Sequence, residues 1–288
     1  MEMIRTTVFS DGPGGGNPAP VFLHADGMTD AEMQAAAAEL GEECVFVLKP
    51  DRPDCGVRLR YFVPDHELTL CAHDTIGAVT VLVEEGLLPG DSVMVSTGAG
   101  AVKAQWQRDE KGILVMLDQF LPEFRQSGLQ PEELAGALRI GAEELAVSGA
   151  MPAECVSTSR FKLMVPVKDR AVLDGIRPDF ERLFGDCDAC GSSGFYVFAR
   201  DPERPDTCYA RQFPLRSGYD EDAATGIAAA ALGAYWVSHG LSEVKDGWNR
   251  LHVYQGHAMG RPSYLVADIR VSADRIDGVR VCGYAERL

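Results

Sequence analysis

The chain has 288 residues, of which 46% are hydrophobic and 24% charged, a composition typical of a globular protein with one large or two ordinary domains. Its formal net charge of −16 argues against a nucleic-acid partner and against an anionic membrane surface, both of which select basic faces. No apolar run is long enough to cross a bilayer, and the first residues lack a secretion-signal layout, so we expect a cytoplasmic protein.

Short strands dominate the first part of the chain. The segment "TDAEMQAAAAELG" predicts a helix, because Thr29 and Asp30 can cap its start and Gly41 can end it. A second helix, from about Thr75 to Glu85, carries charge only at its end. Alternating or continuous apolar residues predict strands over 6–10, 19–24, 44–50, 57–64, 92–100, 101–107 and 113–119.

The second part of the chain repeats this pattern. A helix from about Thr225 to Ser238 carries no charge at all, and further helices are predicted over 131–138 and 141–147. Strands are predicted over 161–167, 194–200, 207–213, 250–256, 263–270 and 279–284.

A helix that is apolar on every side must be buried, and each part of the chain has one such helix among many strands. We therefore predict an α+β fold of two pseudo-duplicated α/β barrels, each wrapped around its central apolar helix. The predicted domains are 1–118 and 119–274, with the C-terminal strand 275–288 returning to the first.

The eight cysteines are scattered through the chain, which favours reduced thiols over a disulfide framework. Cys187 and Cys190 form a single C-x-x-C. Zinc sites of this type need a second pair at suitable spacing, and the sequence has none, so no metal site is predicted.

Acidic residues precede both apolar helices, as His73–Asp74 and as Glu221–Asp222. The first N–H groups of a helix and its dipole favour anions. If both helix starts face one cleft, a substrate carboxylate could bind there while the titratable groups move protons. The alternative is that these residues are ordinary helix caps.

Two further carboxylates lie in "LGEECVFV", where Glu42 and Glu43 join the end of a helix to an apolar strand. Because the following residues alternate into the core, one of the two must point inward or toward the edge of the interior. A carboxylate in a dry cleft has a raised pKa and can act as a base. A solvated turn is the alternative interpretation.

Four segments, in order, resemble the PhzF-like family, named for the phenazine biosynthesis isomerase, over nearly the whole chain. They are the opening "VFSDGPGGGNPAPVFLHADGMTDAEMQAAAAELGEECVFVL", then "LTLCAHDTIGAV", "YDEDAATGIAAAALGAYW" and "YQGHAMGRPS". The resemblance implies a diaminopimelate epimerase-like fold, a homodimer, and catalysis without a metal or organic cofactor.

The resemblance also implies site residues. Glu43 matches the glutamate that moves a proton between carbons of a cyclic allylic amino acid, and His73 and Asp222 match the assisting residues. Residues expected to bind substrate through side chains or backbone N–H groups are Asn17, Asp74, Thr75, Gly77, Thr225, Gly226 and Ile227.

This chain departs from the family pattern at both helix starts. Ala72 replaces a glycine, Asp74 replaces a proline or alanine, Ala223 replaces a proline and Ile227 replaces a serine. The isoleucine side chain cannot donate a hydrogen bond. Related epimerases use two facing cysteines, but residues 222–230 contain none, which disfavours racemisation by two thiols.

The sequence therefore favours a cofactor-independent isomerase that acts on a small, carboxylate-bearing, amino acid-like substrate, with Glu43 as acid and base. Two alternatives stay open. One is an amino-acid epimerase or racemase on the same fold, and the other is a non-catalytic binding protein with a decayed site.

Overall fold

The computed structural model describes residues 2–288 and has a mixed α/β fold. Its first unit comprises residues 2–11, Gly15–Asp118 and Cys282–Leu288, and its second unit comprises Gly12–Gly14 and Gln119–Val281. Among residues 2–288, no helix is long and apolar enough to cross a membrane.

The first unit contains a sheet with the strand order β1-β4-β5-β6-β8-β9-β10, to which β7 adds beside β6, and a small sheet β19-β2-β3. Its elements are β1 (Glu2–Ile4), β2 (Thr6–Val8), β3 (Asn17–Pro18), β4 (Val21–Leu23), α1 (Asp30–Leu40), β5 (Cys44–Leu48), β6 (Val57–Phe62), β7 (Glu67–Leu68), α2 (Ala72–Glu84), β8 (Ser92–Thr97), β9 (Gly100–Asp109), β10 (Gly112–Gln119) and β19 (Ala285–Arg287).

Helix α1 forms as its sequence predicts. Thr29 and Glu32 make a reciprocal capping box at its start, and Gly41 ends it in the left-handed conformation with a φ of 66°. Its buried Met33 and Ala37 belong to a core cluster with the aromatic residues of β4, β5 and β6. The helix thereby fixes the position of the turn that precedes β5.

Helix α2 is the buried helix of the first unit, and it confirms the prediction from its apolar composition. Residues 72–82 are all buried, in contact with β2, β4, β5 and β19. Such a helix has no solvated face, so every polar group in it needs a partner inside the unit or a bound ligand.

The second unit has the strand order β18-β17-β16-β15-β14-β13-β12-β11. Its elements are β11 (Glu123–Gln126), α3 (Pro131–Leu138), β12 (Glu154–Ser157), β13 (Phe161–Pro166), α4 (Arg170–Gly175), α5 (Phe180–Cys190), β14 (Gly194–Arg200), β15 (Thr207–Pro214), α6 (Gly226–Ser238), β16 (Gly247–Gln255), β17 (Ser263–Ser272) and β18 (Arg275–Gly283). Helix α6 is buried against β12, β13, β16 and β17, while α3, α4 and α5 pack around β14 and β15.

The structure differs from the sequence predictions at several elements. Residues 141–147 form only a 3-10 turn, Ala142–Glu144, because Leu145 and Ala146 turn outward to pair with Val167 and Pro166. Helices α4 and α5 were not predicted. The return to the first unit begins at Cys282 rather than at residue 275, because β18 lies beside β17 in the second unit.

The close approach of α6 to β17 requires a glycine. A Cβ atom on Gly233 would lie 2.7 Å from the Cβ atom of Ala267. At a helix position with free space around the glycine, replacing Gly with Ala raises the free energy of unfolding by about 0.5–1 kcal/mol. We expect Gly233→Ala instead to lower the free energy of unfolding by roughly 1–3 kcal/mol, because the core is overpacked.

Urea unfolding of the variant measures this effect. Gly185→Ala in α5 is the matched control, because a Cβ atom there meets no atom within 4 Å, and it should stabilise by about 0.5–1 kcal/mol. Equal gains from both substitutions would contradict the tight packing of α6 on β17.

Candidate active site

Helix α2 begins at Ala72, three residues before the predicted start at Thr75, and Cys71 is its N-cap residue. Its first turn therefore consists of residues 72–75, and the N–H groups without an intrahelical acceptor are those of the earliest residues. His73 and Asp74 lie inside the helix rather than in the turn before it. Their side chains are held by helical geometry in the buried first turn.

This shift corrects two of the predicted substrate-binding residues. Thr75 donates its N–H to the carbonyl of Cys71 at 3.1 Å, and its hydroxyl donates to the same oxygen at 2.6 Å. Gly77 lies in the second turn, where its N–H belongs to the helical ladder. A Cβ atom at Gly77 would lie 2.9 Å from the hydroxyl of Thr6, so this glycine serves packing.

Glu43 lies immediately before β5, and its side chain is 22% exposed. Its Oε2 atom is 3.4 Å from Nε2 of His73, whose ring is largely buried. The same Nε2 atom is 3.5 Å from Oδ1 of Asp74. The structure thus brings together Glu43, His73 and Asp74, three of the residues that the sequence marks as site residues.

Glu42, its neighbour in the sequence, faces a different partner. Both of its carboxylate oxygens accept hydrogen bonds from Nη1 of Arg5, at 2.9 and 3.3 Å. This ion pair is exposed, and pairs of this kind contribute little to stability. Of the two adjacent glutamates, only Glu43 contacts the first turn of α2.

Asp74 is fully buried, and neither of its carboxylate oxygens accepts a hydrogen bond of normal geometry from a described residue. Burial raises the pKa of Asp74 to about 7, while the neighbouring His73 lowers it and the charge of Glu43 raises it further. A hydrogen-bond contact with the thiol of Cys71, too distorted to have normal geometry, also lowers the pKa of Asp74. Asp74 can therefore hold a proton near neutral pH.

Cys71, the N-cap residue of α2, completes this cluster. Its Sγ atom is 3.2 Å from Nδ1 of His73. Burial, together with the charges of Asp74 and Glu43, raises the pKa of this thiol well above its ordinary value. The thiol is thus protonated at neutral pH, which disfavours Cys71 as a nucleophile or base.

Asn17, predicted to bind substrate, is buried in β3 opposite Val8 of β2. It belongs to the small sheet against which α2 packs.

In the second unit, the start of α6 carries its own polar network. Thr225 is the N-cap residue, and its hydroxyl donates to Oδ2 of Asp222 at 2.5 Å. The N–H of Ala224 donates to Oδ1 of Asp222 at 3.4 Å. Gly226 and Ile227 are the first two residues of the helix, as predicted, so their N–H groups lack intrahelical acceptors.

Gln255 holds this network together, although the sequence analysis assigned it no role. It is fully buried, and its Nε2 atom donates to the carbonyl of Asp222 at 2.8 Å and to the hydroxyl of Thr225 at 3.0 Å. Its Oε1 atom accepts from the hydroxyl of Tyr196 at 2.8 Å. Gln255 lies in the segment "YQGHAMGRPS", but its contacts with Asp222, Thr225 and Tyr196 become apparent only in the folded structure.

Glu221 and Asp222 separate in the structure. Glu221 forms a bidentate, largely buried ion pair with Arg211, with distances of 2.9 and 2.7 Å. This pairing gives Glu221 a structural role, so the expectation that both acidic residues serve proton transfer is wrong for Glu221.

Lys162 is a further buried polar group of the second unit. Burial lowers the pKa of Lys162 to about 8, and the charge of Asp222 acts in the opposite direction.

Comparison with known proteins gives a consistent result over the whole chain. The family model described as phenazine biosynthesis-like protein matches residues 6–287. An uncharacterized isomerase of Clostridium acetobutylicum is 32% identical over 276 residues, which cover 94% of this chain and 90% of that protein. A trans-2,3-dihydro-3-hydroxyanthranilate isomerase of Pseudomonas aeruginosa is 28% identical over 285 residues, which cover 96% and 92%.

Solved structures agree with these sequence matches. A PhzF-family phenazine biosynthesis protein of Bacillus anthracis has a TM-score of 0.89 at 27% identity, covering 100% of this chain and 98% of that one. A hydroxyproline epimerase of Agrobacterium vitis has a TM-score of 0.62 at 13% identity, covering 99% and 90%, which is a similarity of fold alone.

The raised pKa of Asp74 makes stability depend on pH. Because it lies above the ordinary value of 3.8, Asp74 binds a proton on folding between about pH 4 and 7, and the folded state loses stability as the pH rises through that window. Asp74→Asn mimics the protonated group. We expect its stability relative to wild type to grow by about 2 kcal/mol between about pH 5.5 and 8.

Urea unfolding of both proteins in metal-free buffer at the two pH values measures this difference. Asp188→Asn is the control, since its exposed carboxyl has a pKa that Arg216 lowers, and its effect should not change over this window. A difference for Asp74→Asn that is independent of pH would show that Asp74 is ionised throughout.

Proposed function

Because the chain belongs to the phenazine biosynthesis-like family and is by that homology an isomerase, we propose that it moves a proton between carbons of a small carboxylate-bearing substrate, with Glu43 as acid and base. The substrate class is amino acid-like and includes cyclic acids, as in the name of the Pseudomonas aeruginosa relative. The contact of Glu43 with His73 at the start of α2 is the observation that supports this most.

The proposed step needs a base that is accessible to substrate and also oriented by the protein. Glu43 is partly exposed, and His73 lies 3.4 Å from its Oε2 atom. The carboxylate takes a proton from an acidic C–H bond and becomes a carboxylic acid, while the electron pair left on carbon moves into the adjacent unsaturated system. Glu43 then returns the proton at another carbon, so the overall reaction consumes nothing.

Asp74 and His73 support the role of Glu43 as a proton carrier. Asp74 holds a proton near neutral pH, so it does not compete with Glu43 as a second negative charge. His73 contacts both carboxylates and can donate a hydrogen bond to the ionised Glu43. We propose that His73 orients Glu43 and relays protons.

In the second unit, we propose the first turn of α6 as a carboxylate-binding element. The N–H groups of Gly226 and Ile227 lie at the positive end of the helix dipole. Asp222 is kept as an assisting residue on the strength of the family motif, with Thr225 and Gln255 fixing its position. Thr75 and Gly77 are not proposed as carboxylate-binding residues, because their backbone N–H groups form hydrogen bonds within α2.

The same family resemblance supports two architectural proposals. In each unit, we propose that the strands wrap the central helix as a barrel, in keeping with the contacts of α2 and α6 to several strands each. The homodimer stays a prediction from the resemblance.

The test uses the two adjacent glutamates. Wild type is screened by NMR in deuterated water against amino acids and unsaturated cyclic acids, including trans-2,3-dihydro-3-hydroxyanthranilate, for incorporation of deuterium at carbon. Glu43→Gln should keep the fold but slow this exchange at least about 100-fold, because an amide is not a base.

Glu42→Gln is the matched control. It has the same chemistry one residue away and breaks only the exposed pair with Arg5, so exchange should stay within about threefold of wild type. Full exchange in Glu43→Gln, or its loss in Glu42→Gln alone, would remove Glu43 from the mechanism.

A further inference from the structure

Four side chains at the start of α2 form a cluster whose composition goes beyond proton transfer. Glu43, Cys71, His73 and Asp74 each offer one ligand atom, and these atoms all lie within 4.8 Å of one another. The set contains one thiol sulfur, one imidazole nitrogen and two carboxylate oxygens. Zinc and similar borderline-soft divalent ions use these donor types, whereas Mg²⁺ and Ca²⁺ prefer oxygen alone.

Asp74 supplies an independent reason to look for a cation. Its side chain is fully buried, and both of its oxygens lack a hydrogen-bond partner among the described residues. A buried carboxylate without donors is costly unless it is paired or coordinates a metal.

The distances suit a tetrahedral ion. From Nε2 of His73, the separations are 3.4 Å to Oε2 of Glu43, 3.5 Å to Oδ1 of Asp74 and 4.0 Å to Sγ of Cys71. Zinc bonds of about 2.0–2.3 Å at tetrahedral angles place neighbouring ligand atoms roughly 3.3–3.6 Å apart. Of the three distances from Nε2, only that to the sulfur exceeds this range, by a few tenths of an ångström, and small side-chain shifts bring atoms within 4.8 Å of one another to tetrahedral spacing.

We propose that Glu43, Cys71, His73 through Nε2, and Asp74 bind a borderline-soft divalent transition-metal ion, with Zn²⁺ as the representative. Binding releases the thiol proton of Cys71 and any proton on Asp74, so that the ion receives a thiolate, a neutral imidazole and two carboxylates. All four ligands belong to the first unit. Three of them come from one short segment, 71–74, and the fourth from the turn before β5.

The ion would also act on the reaction. This consequence rests on the proposed role of Glu43 as the base. Bound Zn²⁺ would occupy the carboxylate of Glu43 and inhibit proton transfer, and a chelator would restore proton transfer. The metal is thus an inhibitory ligand of the active-site cluster, and the reaction itself is assigned to the metal-free protein.

Binding is tested first without any substrate. Protein stripped with EDTA and dialysed is titrated with Zn²⁺ by calorimetry and with Co²⁺ by absorption spectroscopy. We expect one ion per chain at this site, and a thiolate-to-cobalt charge-transfer band. Cys71→Ser should remove that band, and both Cys71→Ser and Asp74→Asn should weaken Zn²⁺ binding at least tenfold.

Cys187→Ser is the matched control, because it removes a buried thiol of the C-x-x-C in α5 and leaves the cluster intact. It should change neither the band nor the affinity. Thermal unfolding in EDTA confirms that each variant is folded. Absence of Zn²⁺ binding to wild type, unchanged binding in both cluster variants, or loss of binding in Cys187→Ser alone would overturn the proposal.

The isomerase proposal and the metal proposal can fail separately. Deuterium exchange is measured in EDTA and tested through Glu43→Gln, whereas ion binding is measured without substrate and tested through Cys71→Ser and Asp74→Asn. If the protein binds Zn²⁺ at the cluster, adding Zn²⁺ in excess over the EDTA should lower the rate of deuterium exchange at least tenfold relative to EDTA alone. Exchange that is unaffected by saturating Zn²⁺ would refute the inhibitory role.

Discussion

Burial of the first turn of α2 is the constraint on which the candidate site depends. Residues 72–82 are all buried, so the polar side chains of this turn have no access to bulk water. A buried charge persists in a protein only if it is neutralised, paired or coordinated. The fold thus leaves Asp74 three states, which are a bound proton, an ion pair with His73, or a bound cation. Each of these states changes what the adjacent Glu43 can do.

The start of α6 shows how the same situation looks when the protein supplies every partner. Asp222 accepts from the hydroxyl of Thr225 and the N–H of Ala224, and Gln255 ties both residues to the neighbouring strand. The side chains of Asp222, Thr225 and Gln255 thus hold one another in place, while the N–H groups of Gly226 and Ile227 are left for the proposed substrate carboxylate. By contrast, neither carboxylate oxygen of Asp74 accepts a hydrogen bond of normal geometry from the described residues, so this buried carboxylate lacks the partners that Asp222 has.

Sequence patterns predicted the features that depend on local composition. Apolar residues on every side identified both buried helices, and the capping signals of α1 were correct down to Gly41. The start of α2 was misplaced because Thr75 resembles a cap, whereas its hydroxyl bonds backward to Cys71 within the helix. Gln255 was missed because its partners lie between 30 and 59 residues away in sequence, and such contacts leave no local signal.

Glu42 and Glu43 show how much depends on register. Glu42 lies in the bend after Gly41 and meets Arg5 at the surface, whereas Glu43, the residue directly before β5, meets His73. The sequence restricted the base to this pair, and the structure separates the two by their partners. A one-residue shift of β5 would exchange their environments, which is why the packing of α1 against this strand bears on the chemistry.

Charge balance connects the two proposed properties of the cluster. With Asp74 protonated, the cluster carries less negative charge, and Glu43 is left as the single proposed base that accepts and returns one proton. With both carboxylates ionised and Cys71 deprotonated, the cluster carries three negative charges, which a divalent cation largely offsets. Proton transfer and metal binding therefore require different protonation states of the same four side chains. Asp74 and Cys71 are the two groups whose protonation distinguishes those states, so the buried carboxylate and thiol at the start of α2 link proton transfer to metal binding.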